Sequence, residues 1–177
     1  MNIASHSRFG AVVGLIDRLT AFCNIIAALS LLAIFVLIAG EIIIRNLSGF
    51  SLSFSWDFAA YLMGSTFMMA AASALKSGSH VRVTAITEIL SPRGGRMLDM
   101  LACLLGLAIS MALTYALIEM AWLSFQRGST SSSVIRTPLV YPQAVLAVGG
   151  VLLTLQMVAQ CLRLTRGETL TTGPGLE

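Results

Sequence analysis

Few residues in this chain are suited to acid–base, nucleophilic or metal chemistry. The two histidines, His6 and His80, stand outside every long apolar stretch. The three cysteines, Cys23, Cys103 and Cys161, show no CxxC or Cys/His spacing, so neither a metal site nor a disulfide framework is expected. Each is read as a small apolar packing residue. There is no paired-carboxylate constellation, no Gly-rich phosphate loop after a strand, no nucleophile elbow and no Walker motif. The chain is therefore read as a non-enzyme with no catalytic residue, no metal and no cofactor of its own. His80, between Gly78 and Arg82, reads as a loop residue before it reads as a ligand or a base.

The elements that hold these residues explain the shortage. Four stretches carry no Asp, Glu, Lys or Arg: Leu19 to Gly40, Phe58 to Leu75, Met100 to Ile118 and Thr137 to Leu162. The shortest, as a helix, spans about 27 Å, against roughly 30 Å for the apolar core of a bilayer. Composition agrees: 56% hydrophobic and 11% charged residues, with a mean hydropathy of +0.87, where soluble domains carry roughly 25% charged. Backbone groups in lipid must be paired internally, which leaves helices or a closed barrel. These runs do not alternate in polarity as barrel strands do. The expected fold is an all-α membrane protein with four transmembrane helices over about 19–44, 56–75, 97–125 and 138–164. Residues 1–166 form one domain, followed by a disordered tail over 167–177. The first run is longer than a signal-peptide core and is read as a retained span.

Charge sets the orientation, because excess Lys and Arg stay cytoplasmic. With both termini and the central loop on one side, that side holds Arg8, Arg18, Lys76, Arg82, Arg93, Arg96, Arg163 and Arg166. The other holds only Arg45, Arg127 and Arg136. Both termini are expected in the cytoplasm. Trp56 and Trp122 then fall at outer helix ends, where amphipathic rings favour the headgroup level. The basic balance reflects orientation; no basic run with interleaved aromatics suggests nucleic acid.

The connections carry the remaining signals. Glu41 and Arg45 share one face in the favourable acid-before-base order, and Ser48-Gly49 marks a turn. Ser55 is expected to cap the second helix, with Asp57 in its first turn suited to the helix dipole. Glu41, Arg45, Asp57 and Glu119 gather toward the outer edge, either as a charge cluster that holds helix ends together or as a docking or ion-path feature. The third helix carries a small-residue ridge, Ala102, Gly106, Ser110 and Thr114, that permits close helix approach inside the bundle or against another subunit. Val83, Ile86, Ile89 and Leu90 fall on one arc, predicting a short amphipathic helix at the cytoplasmic interface, stopped by Ser91-Pro92. The Ser/Thr-rich loop Gln126 to Arg136 is expected to be mobile. Asn24, Gln143, Gln156 and Gln160 read as interhelical hydrogen bonders.

Four pieces together resemble a known family. They are Glu41-Ile-Ile-Ile-Arg45-Asn46, Ser55-Trp56-Asp57, Ala72-Ser-Ala-Leu-Lys76-Ser-Gly78-Ser-His80-Val-Arg82-Val83, and Pro138 followed by Gly149-Gly150. In order and spacing the chain, over roughly Arg18 to Arg166, resembles the small membrane subunit of tripartite ATP-independent periplasmic (TRAP) transporters. It departs from the family pattern at Phe58, Thr84, Val140 and Ala147. The resemblance implies a bacterial inner-membrane complex for sodium-driven uptake of organic acids, with two partners. One is a large multi-helix membrane subunit that holds the substrate and sodium sites. The other is a periplasmic substrate-binding protein. The small subunit would brace the large one and widen its docking surface. Read together with the charge and aromatic placement above, the residues expected in structure or interaction are Glu41, Arg45, Trp56, Asp57, Gly78, His80, Arg82, Glu119 and Trp122. The competing readings are a self-sufficient four-helix transporter acting as a homodimer, which would want an acid in the middle of a helix, and a cofactor-bearing anchor, for which no intramembrane histidine pair exists.

Overall fold

The computed structural model describes residues 3–77 and 92–165, with side chains over 12–77 and 94–165. The expected amphipathic helix, with Gly78, His80 and Arg82, lies outside the described residues, as does the tail 167–177. The chain forms four helices: α1 (Ile3–Ser48), α2 (Ser55–Lys76), α3 (Pro92–Arg127) and α4 (Val140–Thr165). All four contain a segment long and apolar enough to cross a membrane. Among the described residues there is no strand, only an isolated bridge between Thr130 and Pro138.

Local chemistry sets the helix ends. α1 runs well past both limits of the stretch 19–44, because nothing breaks it earlier: residues 3–48 contain no proline, and Gly10 and Gly14 each cost only about 1 kcal/mol relative to alanine. It stops where Gly49 adopts φ 68° and donates its N–H to the Arg45 carbonyl at 3.0 Å, an αL cap that needs a residue without Cβ. α3 begins at Pro92. Proline is favoured at the first helical position, where its missing N–H has no partner to lose. Pro92 therefore starts α3, where the sequence reading took Ser91-Pro92 only as a stop signal and started the helix near residue 97. α3 ends in a Schellman motif: Gly128, at φ 61°, donates to Phe125 and Ser129 donates to Ser124.

Ser55 does not cap α2. Phe54 occupies that position without a side-chain hydrogen bond, and the Ser55 hydroxyl donates backward to the Leu52 carbonyl at 2.7 Å. Leu52 thus accepts both the Ser55 hydroxyl and the Ser55 N–H, so the serine tightens the preceding turn.

The helices do not surround a common axis. α1, α2 and α4 pack on one another, while α3 touches only α4 among the described helices. α4 is the central element: 33% of its apolar window is buried, against 11% for each of the other three. Its adjacent glycines make this possible. A Cβ at Gly149 would lie 2.6 Å from the Met68 Cβ on α2, and one at Gly150 would lie 3.1 Å from Thr114 and Leu117 on α3. Two consecutive positions about 100° apart on a helix thereby admit two neighbours to close range. The core at this junction is Cys23, Ala27, Met69, Ala72 and Leu152.

The ridge on α3 faces α4 with a shifted start. Gly106 packs against the Met157 thioether, Ser110 is buried, and the Thr114 and Thr154 hydroxyls bond at 2.9 Å. Ala102 is exposed, and Cys103 takes its place, its sulfur against that of Cys161.

Candidate functional site

Polar chemistry collects at the two ends of the helices. At the end that carries the α1–α2 and α3–α4 loops, Glu41 is 6% exposed. Its carboxylate accepts the Ser51 hydroxyl at 2.7 Å and the Leu52 N–H at 2.8 Å. The acid at the end of α1 therefore holds the chain that leads to α2. Asp57, in the first turn of α2, accepts the Ser131 hydroxyl at 3.0 Å, tying α2 to the other loop. Arg45 and Glu119 are exposed, as are Trp56 and Trp122. Among the described residues no ion pair joins Glu41, Arg45, Asp57 and Glu119. In place of one charge cluster, there are two separate acid-to-loop contacts with exposed groups beside them.

The loop after α3, expected to be mobile, is folded on itself. Ser131 N–H donates to Thr137 at 2.8 Å and Leu139 N–H to Ser129 at 3.0 Å, enclosing a turn closed by Arg136 N–H to Ser133. The Ser131 hydroxyl accepts the Ser133 N–H at 3.3 Å, while the Ser133 and Thr137 hydroxyl oxygens are buried without a hydrogen-bond partner among the described residues. A direct prediction follows for the Glu41 contact. Glu41→Ala is expected to speed amide hydrogen exchange at Leu52 and its neighbours while leaving exchange within the middle of α1 unchanged. Unaltered protection at Leu52 would mean that the carboxylate does not hold the loop.

The opposite end contains the densest polar network. Asp17 on α1 receives Arg163 of α4 at 2.7 Å and Lys76 of α2 at 3.4 Å on one carboxylate oxygen. Its other oxygen accepts Gln156 Nε2 at 3.4 Å. Gln156 is fully buried, and its carbonyl accepts the Thr20 hydroxyl at 3.1 Å. Gln160 Nε2 reaches the Leu75 carbonyl at 3.4 Å. Gln156, Gln160 and Arg163 recur at i, i+4 and i+7, so one stripe of α4 serves both neighbours. Gln156 and Gln160 thus join helices, as their isolation in an apolar run suggested. Asn24 is exposed, and the Gln143 carbonyl oxygen is buried without a hydrogen-bond partner among the described residues. Sequence reasoning used Lys76 and Arg163 for orientation, and Lys76 also within the family motif, but paired neither with Asp17, because several charges border the charge-free runs on that side.

Between the two ends the described spans carry no acid or basic side chain, and among the described residues no group of His, Cys, Asp and Glu could hold a metal ion. Outward faces are apolar. α1 presents Leu31, Phe35, Ile38 and Ile42, and α3 presents Leu105, Ile109 and Tyr115. Surfaces of this extent need lipid or a protein partner to cover them.

These features define an integral membrane protein of four helices that is braced by polar contacts at both ends and apolar between them. The family described as tripartite ATP-independent periplasmic transporters, DctQ component, matches residues 34–167, from the second half of α1 through α4, and the chain belongs to that family. No curated protein matches it.

Proposed function

We propose that the chain is the static small permease subunit of a sodium-coupled, binding-protein-dependent secondary transporter for organic acids in the bacterial inner membrane, with both termini cytoplasmic. It braces a large transport subunit and helps form the surface on which the periplasmic binding protein docks. The observation that carries this reading is the location of its polar groups. Glu41, Asp57, Asp17, Lys76 and Arg163 fasten helix ends and loops, and no acid or base stands in the middle of a described span, where a transport path would need one. The family to which the chain belongs supplies the transporter context. Sodium and substrate sites then belong to the large subunit, and no cofactor is assigned to this chain. The exposed Arg45, Trp56, Glu119 and Trp122 are the groups offered at the outer edge, with Asp57 behind them. Gly78, His80 and Arg82, which lie outside the described residues, are assigned an interaction role from the sequence motif alone.

The test is reconstitution in liposomes with the large subunit and the binding protein. Carboxylate uptake driven by an inward sodium gradient is expected only when all three proteins are present. Full-rate uptake without this chain would remove the bracing role. Uptake by this chain alone would replace the reading with that of a self-sufficient homodimer.

A further inference from the structure

Cys103 on α3 and Cys161 on α4 are separated by more than fifty residues in the sequence, yet their sulfurs stand 2.6 Å apart. A covalent S–S bond measures about 2.05 Å, so the two sulfurs stand close to bonding distance across the α3–α4 contact. Both are in the thiol state. Their setting differs from that of Cys23, which sits in the core between α1, α2 and α4. Cys103 is buried, whereas Cys161 is partly exposed, two residues and about 3 Å of helix rise from Arg163 at the polar end.

We infer that Cys103 and Cys161 form an oxidisable dithiol that hydrogen peroxide converts into a disulfide between α3 and α4. Cys161, the more accessible sulfur, attacks the peroxide: its S–O bond forms as the O–O bond breaks, leaving a sulfenic acid and water. The Cys103 sulfur then displaces the sulfenic hydroxyl, which takes the Cys103 proton and departs as a second water. Two electrons pass from the sulfur pair to the peroxide, and one S–S bond results. The bridge has a definite structural consequence. α3 touches no described helix except α4, and the two are joined by the loop at one end only. Oxidation would close the other end and fix α3 in place. This inference does not depend on the transport role proposed above.

The experiment treats the purified full-length chain in detergent with hydrogen peroxide, alkylates the remaining thiols, and maps them by peptide mass spectrometry. Alkylatable thiols are expected to fall from three to one, at Cys23. A Cys103–Cys161 peptide pair lighter by two hydrogen atoms is expected, together with faster migration on a gel without reductant. In Cys103→Ser the bridge is lost, and a sulfenic-acid trap such as dimedone labels Cys161. In Cys23→Ser the bridge persists. Retention of all three thiols, or oxidation that links two chains through Cys161 while Cys103 stays reduced, would overturn the inference. The wild-type measurement stands by itself if either serine variant folds poorly.

Discussion

Asp17→Asn is expected to destabilise the protein by about 2–3 kcal/mol, between the ~0.2–1 kcal/mol of an exposed ion pair and the ~3–5 kcal/mol of breaking a buried one. The intermediate magnitude follows from the setting. Asp17 and Arg163 are each about one-fifth exposed, at 22% and 21%, and Lys76 is 39% exposed. The asparagine is almost isosteric, so packing is preserved and only charge and acceptor capacity change. It removes the carboxylate charge that Arg163 and Lys76 both approach, and it weakens the acceptor for the buried Gln156 amide. α1, α2 and α4 are then all loosened at one end. A double-mutant cycle isolates the effect: Asp17→Asn and Arg163→Met should each be harmful, and the double variant should be less harmful than their sum, because it leaves no uncompensated Arg163. Reversible unfolding in mixed micelles, followed by circular dichroism, measures all four proteins. Strict additivity would show that the 2.7 Å contact contributes nothing to stability.

The contrast between what was and was not readable in the sequence has physical causes. The four spans were legible because the solvent around a membrane helix imposes a one-dimensional rule, the exclusion of charge over about twenty residues. Gln156 and Gln160 were legible for a related reason: a buried amide in an apolar run must find a partner on another helix. The Asp17 network was not legible, since three charges at the ends of three runs pair only once the arrangement of helices is known. Nothing in the sequence shows that α4 is central and that α3 lies outside. Glu41 illustrates a different limit. Its spacing to Arg45 suggests an i,i+4 pair, yet such surface pairs are weak and screened. The carboxylate instead satisfies a loop N–H and a hydroxyl ten residues away. The Ser/Thr-rich loop shows a related limit: its composition does not encode the backbone bonds that fold it on itself or the bond from Ser131 to Asp57.

Gly149→Ala is expected to be the most damaging of the helix-packing glycine substitutions, at about 1–3 kcal/mol for forcing one methyl into a filled contact, with Gly149→Val worse. The atoms that a new Cβ would meet decide the ranking. At Gly149 they are the Met68 Cβ at 2.6 Å, its carbonyl carbon at 2.9 Å and its oxygen at 3.0 Å. None of these moves by a change of rotamer, so α2 and α4 must separate. At Gly150 the obstacles are the Leu117 and Thr114 side-chain tips at 3.1 Å, which yield by a few tenths of an ångström. At Gly106 the obstacle is the end of Met157, a flexible thioether that swings aside. The expected order of harm is Gly149→Ala, then Gly150→Ala, then Gly106→Ala, measured as loss of unfolding free energy in micelles. Met68→Ala should give Gly149→Ala no relief, because alanine retains the Cβ that blocks it. Gly149→Ala within about 0.5 kcal/mol of the wild type, the range of ordinary surface substitutions, would show that α2 and α4 do not approach so closely. The effect also reaches beyond the α2–α4 contact. α4 is the sole described support of α3, so pushing α4 off α2 shifts the helix that carries Glu119 and Trp122. If the proposed large subunit binds this end of α3, a variant damaged at Gly149 should lose assembly with it.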